Sequence, residues 1–141
     1  MSMMRAMVIG ASGLTAQRSR MELVSSNLAN ARTTRTPEGG AYRRRQVVFV
    51  AQPLESGLAD PFGRALRSVR VERIFEDPSP LLLRYEPGHP DADADGLVAY
   101  PNVDPVREMV DMLSATRSYE AGVTLVRGIR EMLQGALQII A

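Results

Sequence analysis

Two long stripes of spaced side chains, one at each end of the chain, limit its fold more than any other feature. Near the N-terminus, Met4, Met7, Ala11, Leu14, Arg18, Met21, Ser25 and Leu28 follow one another in alternating steps of three and four. That spacing lays them along one narrow stripe of a helix. Met7, Leu14, Met21 and Leu28 are its apolar row; Arg18 and Ser25 interrupt the other row. Toward the C-terminus, Met109, Met112, Thr116, Tyr119, Val123, Val126, Arg130, Leu133, Leu137 and Ile140 keep the same step. Sustained heptads predict a coiled-coil seam rather than a helix resting on a broad globular core. Asp104 and Pro105 mark where this helix begins, because aspartate caps free amides and proline at the first helical position has no amide to satisfy. Run to Ile140, the helix is about 54 Å long at about 1.5 Å per residue, more than a chain of 141 residues readily covers by itself. Gly122, Gly128 and Gly135 lie inside it, and each costs about 1 kcal/mol relative to alanine. Such glycines fit a helix supported by closely approaching neighbours; local flexibility is the plainer alternative.

Between the stripes the period changes. Pro37 and the Gly39–Gly40 pair make residues 32–42 a turn and loop. Residues 46–50 (QVVFV) read as a buried strand, 68–74 (SVRVERI) as a half-exposed one, and 81–86 (LLLRYE) as a third with Leu81, Leu83 and Tyr85 on one face. The segments PLESGLADPFGR and EDPSP supply turns. The fold class expected is α+β: long N- and C-terminal helices forming a coiled-coil-like layer, with a small β-rich module between them. The divisions are residues 1–31, 32–102 and 103–141.

Composition narrows the chemistry. The formal charge is +1, which gives no global pull toward nucleic acid or an acidic membrane. The balance is uneven along the chain: residues 1–50 are net +6, 51–100 net −4 and 101–141 net −1. Opposed charge of this kind suits head-to-tail contact between copies. With no cysteine there is neither a disulfide framework nor thiolate chemistry. Arg5 followed by a mildly apolar run imitates a secretory signal, but Gly10, Ser12 and Gly13 break the run, and a cleaved signal peptide is not expected.

Three stretches invite a chemical reading. In HPDADADG (89–96), Asp91, Asp93, Asp95 and Gly96 begin as a calcium-binding EF-hand loop does, yet the twelfth position, where a bidentate glutamate belongs, is Asn102. Pro87, Gly88 and Pro90 forbid the preceding helix, so an acidic turn is expected and no metal site is assigned. His89 beside Asp91 and Asp93 has the residue types of a general base but no companion nucleophile; no catalytic residue and no cofactor are assigned. Arg43–Arg44–Arg45 could meet phosphate, or could guard the edge of the adjoining strand; with no groove-reading motif, nucleic acid is not expected as a partner. Asn27 and Asn30 in SSNLANA can end a helix or pin the register of an interface, and both readings remain open.

The residues together resemble a known family. SGLTAQRSRMELVSSNLANARTTRTPEGGAYRRRQVVF (12–49), EPGHPDADADGLVAYPNV (86–103) and EMVDMLSATRSYEAGVT (108–124) are similar to the bacterial flagellar rod and hook axial proteins, with the PGHPDADADG stretch the most specific part. The resemblance spans Gly13 to about Leu137. It implies a structural subunit of the proximal rod of the flagellar basal body, not an enzyme, with terminal helices that polymerise, transmit torque and line an export channel. It implies self-association, contact with the rod proteins FlgB, FlgF and FlgG and with FliE, and passage through the flagellar type III export apparatus to a rod crossing the periplasm. No membrane span is implied. The assembly surface expected on this basis comprises Met7, Leu14, Met21, Asn27, Leu28, Asn30, Met112, Tyr119, Val123, Val126, Leu133, Leu137 and Ile140.

Overall fold

The computed structural model describes residues 2–54 and 65–140, without the side chains of Ser2, Ile139 and Ile140. Most of the turn expected over residues 53–64 lies outside the described residues. Two long helices enclose four strands in sequence: α1 (Ser2–Ala29), β1 (Arg45–Pro53), β2 (Arg67–Glu76), β3 (Leu82–Tyr85), β4 (Leu97–Tyr100) and α2 (Pro105–Ile140). The architecture is α+β, as the periodicities predict. The start of α2 follows its cap: the Asp104 carboxylate accepts the amides of Val106 at 3.0 Å and Arg107 at 3.4 Å.

The helices pair antiparallel. Position numbers fall along α2 as they rise along α1: Gly10 lies against Val126, Leu14 against Gly122, the Met21 sulfur against the Thr116 hydroxyl, Arg20 against Asp111 and Asn27 against Glu108. The covered side of α2 runs through Glu108, Ala115, Gly122 and Ile129, with Met112, Tyr119, Val126 and Leu133 beside them. One edge of the expected stripe is therefore displaced by one residue. Met109, Arg130 and Leu137 are exposed rather than in the seam. The cause is spacing: a Cβ on Gly122 would meet Leu14 Cδ2 at 2.8 Å and one on Gly10 would meet Val126 Cγ2 at 2.9 Å. Helices this close select small residues where they touch, so the bulkier neighbouring row looks like the seam in sequence.

α1 is covered on two sides, by α2 and by the β1–β2 hairpin, and among its described side chains only the row Met4, Val8, Ala11, Thr15, Arg18, Glu22, Ser25, Ala29 is exposed. Arg18 and Ser25 thus interrupt the apolar stripe without being buried; Arg18 forms an i,i+4 pair with Glu22 at 2.9 Å. The Val69 amide donates to the Ser12 hydroxyl at 3.1 Å, fixing the hairpin along α1.

The strands form two separate antiparallel hairpins. β1 and β2 pair from Arg45 opposite Glu76 to Pro53 opposite Arg67, with a bulge that leaves Glu72 unopposed between Val48 and Phe49. β3 and β4 pair from Leu82 opposite Tyr100 to Tyr85 opposite Leu97. β4 has no counterpart among the strands expected from sequence, because its four residues follow directly on the acidic turn. HPDADADG consequently connects β3 to β4 and does not lead into the last helix. Its turn closes at Gly96, where φ is +75° and a Cβ would meet the Tyr85 ring at 2.9 Å and Pro87 Cβ at 3.1 Å.

Candidate functional site

Both helices, the start of β1 and the approach to α2 converge on one polar node. Its centre is Asn27, 1% exposed on the last turns of α1, facing Glu108, 0% exposed on the first turn of α2. The Asn27 amide nitrogen donates to Glu108 Oε2 at 3.0 Å and to the Arg45 carbonyl at 2.9 Å; its oxygen accepts the Tyr42 hydroxyl and the Arg45 amide, each at 2.9 Å. All four hydrogen-bonding positions of the side chain are therefore filled. One side-chain amide thus ties the end of α1 to Tyr42, to the start of β1 and to the first turn of α2.

Arg44 completes the node. Its Nε donates to Glu108 Oε1 at 2.6 Å, and its terminal nitrogens lie 3.5 Å from Asp111 and 3.8 Å from Asp77. The Arg44 amide donates to Asn102 Oδ1 at 2.8 Å, while the Asn102 amide nitrogen donates to the carbonyls of Asp77 and Ser79. Arg20, two turns before Asn27 on α1, reaches Asp111 at 3.4 Å. The Ser79 hydroxyl and amide donate to the Asp77 carboxylate, which lowers its pKa below the usual 3.8. A buried carboxylate is costly unless its oxygens are occupied; here both oxygens of Glu108 are, by a guanidinium and an amide. A cleft of about 430 Å³ opens beside the node between α1, β1 and α2.

The structure shows in-chain partners for both the asparagines and the arginine run. Asn27 is an internal brace, whereas Asn30 ends α1: its amide donates back to the Ser26 carbonyl at 2.9 Å and its side-chain oxygen accepts the Thr33 hydroxyl at 3.2 Å. The arginine run is divided among in-chain partners, with Arg43 on the Ser79 carbonyl, Arg44 in the node, and Arg45 3.6 Å from Glu76 and over the Tyr42 ring. The acidic turn is spent likewise. Asp91 accepts the Thr34 hydroxyl at 2.8 Å and pairs with Arg35 at 3.6 Å, while Asp93 accepts the amides of Asp95 and Leu97. His89 Nδ1 accepts the Asp91 amide at 3.1 Å. Among the described residues, no three His, Cys, Asp or Glu side chains are placed to hold a metal ion, and no helix is long and apolar enough to cross a membrane.

The residues expected at an assembly surface divide into three sets. Met7, Leu14, Met21, Leu28, Met112, Tyr119, Val123, Val126 and Leu133 are half-buried, Leu137 is exposed, and Asn27 and Asn30 bond within the chain; the Ile140 side chain lies outside the described residues. A second apolar surface went unassigned. Val106, Met109, Val110 and Leu113 stand more than half exposed on α2, on the side turned away from α1. Their spacing of i, i+3, i+4 and i+7 is visible in the sequence, but the longer heptad overshadows it.

The chain resembles flagellar rod proteins over nearly its whole length. Residues 7–35 match the family model described as "Flagella basal body rod protein", and residues 94–139 match "Flagellar basal body rod FlgEFG protein C-terminal". Proteins named "Flagellar basal-body rod protein FlgC" are similar over nearly the whole length. That of Borreliella burgdorferi is 44% identical, covering 94% of this chain and 93% of its own. That of Bacillus subtilis is 46% identical, covering 93% of each. That of Salmonella typhimurium is 40% identical, covering 99% of this chain and 98% of its own. The chain belongs to the FlgC family of flagellar basal-body rod proteins and is a structural subunit of the rod.

Proposed function

We propose that this subunit builds the proximal rod where it crosses the periplasm, polymerising through its terminal helices so that they transmit torque and line the export channel. It reaches that position through the flagellar type III apparatus without a cleaved signal peptide. It assembles with further copies of itself and with FlgB, FlgF, FlgG and FliE. Its three parts, 1–31, 32–102 and 103–141, divide the work: the helices meet neighbours and the central module sits outside them.

One observation carries this reading. The first two turns of α2 present Val106, Met109, Val110 and Leu113 to solvent while the opposite side of the same helix is already packed on α1. A helix apolar on two opposite sides needs a second partner. Leu125, Met132 and Leu137 continue apolar exposure toward the C-terminus, and Met4 and Val8 do so on α1. Contacts that repeat along a rod must be heterologous, and an apolar side at one end of a helix pair distinct from the seam suits that requirement. The half-buried stripe residues, Met7 through Leu133, complete the assembly surface from beneath, with Asn27 and Asn30 fixing where α1 ends against it.

The test is Val110→Glu with Leu113→Glu in a motile relative whose own gene has been deleted. Both side chains are exposed, so the purified variant should keep its circular dichroism spectrum and melting temperature. Cells should lose swimming and complete basal bodies. Normal motility with the folded double variant overturns the reading.

A further inference from the structure

The two edges of β1 meet different surroundings. On one side the Asp77 amide donates to the Arg44 carbonyl at 2.7 Å and the Leu54 amide to the Leu66 carbonyl at 3.1 Å. Alternate residues of an antiparallel strand bond across the ladder, and the rest turn away from it. Gln46, Val48, Val50 and Gln52 therefore bond to β2, while Arg45, Val47, Phe49, Ala51 and Pro53 direct their backbone groups outward. The bulge leaves this order intact, because its extra residue, Glu72, belongs to β2.

The outward edge is closed at both ends and open between them. At Arg45 one side chain takes both backbone groups: the amide donates to Asn27 Oδ1 and the carbonyl accepts from Asn27 Nδ2, each at 2.9 Å. Asn27 thus makes the pair of bonds that a neighbouring strand would make. At the other end Pro53 has no amide to offer. Among the described residues, nothing bonds the outward groups of Val47, Phe49 or Ala51. No charge, proline or bulge guards these three positions, so they are a template for another strand. Val47 and Phe49 line the cleft of about 430 Å³ beside the node, together with Leu23 and Arg107. Glu108 and Asp111 pair with Arg44, and Arg107, exposed at the cleft, forms no ion pair among the described residues.

We propose that in the rod an extended segment of a neighbouring rod subunit adds to β1 as a further strand, bonding the backbone of Val47, Phe49 and Ala51. Main-chain bonds of this kind supply affinity, and the alternate side chains of the added strand supply specificity. Those turned into the cleft meet the apolar Leu23 and Phe49 and the unpaired guanidinium of Arg107. The segment is therefore free of proline over residues 47–51 of its host and alternates apolar with acidic side chains. The inference rests on the chain being a rod subunit and not on the outer side of α2, so Val110→Glu with Leu113→Glu tests the one and the measurements below test the other.

Hydrogen–deuterium exchange resolved to single amides, on the purified full chain and on isolated basal bodies, tests it. In the free chain the amides of Val47, Phe49 and Ala51 should exchange about tenfold or more faster than those of Gln46, Val48 and Val50. In basal bodies the two sets should be equally slow. Fast exchange of the outward set in basal bodies means that no strand is added, and slow exchange in the free chain means that the edge is already closed; either overturns the proposal. Val47→Pro with Ala51→Pro deletes two outward amides and no bond to β2, and each preceding residue already has the extended backbone that proline requires. The folded double variant should fail to complete basal bodies, whereas Val47→Ala with Ala51→Val, which keeps both amides, should complete them. Normal motility with the folded proline variant overturns the proposal, and the exchange measurement decides alone where that variant does not fold.

Discussion

Asn27→Ala removes all four hydrogen bonds at the centre of the node and leaves the fold otherwise untouched. The groups stranded are the Arg45 amide and carbonyl, the Tyr42 hydroxyl and one oxygen of Glu108. An unsatisfied buried neutral group costs about 1–3 kcal/mol and one bonded to a charge somewhat more. Four at the low end come to about 4 kcal/mol, and water admitted from the adjoining cleft returns part of that. The expected loss is therefore about 3–4 kcal/mol, a large share of the roughly 5–15 kcal/mol that holds a domain of this size. In thermal unfolding followed by circular dichroism, that is a fall of about 10–15 °C. Asn27→Asp separates chemistry from volume. It keeps the shape but sets a carboxylate oxygen where an amide nitrogen now lies 3.0 Å from Glu108 Oε2, so it should destabilise at least as much as alanine. A loss below about 1 kcal/mol in both variants would show that the node is not a principal brace, and would refute this reasoning.

Three further outcomes are expected. Gly96→Ala forces a Cβ into a position with φ +75° and 3.1 Å from Pro87 Cβ; it should cost about 1–3 kcal/mol in urea unfolding, and a neutral result would mean that the turn re-forms without its left-handed residue. Asp77 has a depressed pKa, so its contribution is present above the usual carboxylate value of 3.8 and is lost as pH falls through the lower folded-state value. The stability difference between wild type and Ser79→Ala should thus be constant near neutrality and shrink under acid; a difference that widens as pH falls would contradict the assignment. Calorimetric titration with calcium should give no binding heat, because Asp91 and Asp93 already serve Thr34, Arg35 and backbone amides; micromolar affinity would restore the ion-site reading of that turn.

Local signals in the sequence carried much of the fold. Asp104 and Pro105 locate the start of α2 because a cap and a first-turn proline act on adjacent residues. Asn30 and Thr33 end α1 by bonds spanning three or four positions. The heptad steps show that both ends are helical, but not which row faces the partner: contact at Gly122 and Ala115 favours small side chains, whereas a search for bulk selects Val123 and Thr116. The node was not legible at all. Glu108 lies 81 positions from Asn27 and 64 from Arg44, its two bonded partners, and each of the three looks ordinary alone: a helix-ending asparagine, one arginine of a run, a first-turn glutamate. Only the antiparallel pairing of the helices brings Glu108 to Asn27. The four-residue β4 was hidden by its neighbour, an acidic turn whose composition suggests an ion and whose first two aspartates are in fact occupied by a threonine, an arginine and two amides.

The central claim, that the outer side of α2 is covered in the rod, can be measured directly. The chain has no cysteine, so Leu113→Cys introduces a single thiol at an exposed site. Maleimide labelling should be rapid on the purified subunit and strongly suppressed in isolated basal bodies assembled from the same variant. Equal labelling in both would contradict the account, because the most exposed apolar side of the helix would then remain open to solvent in the finished rod.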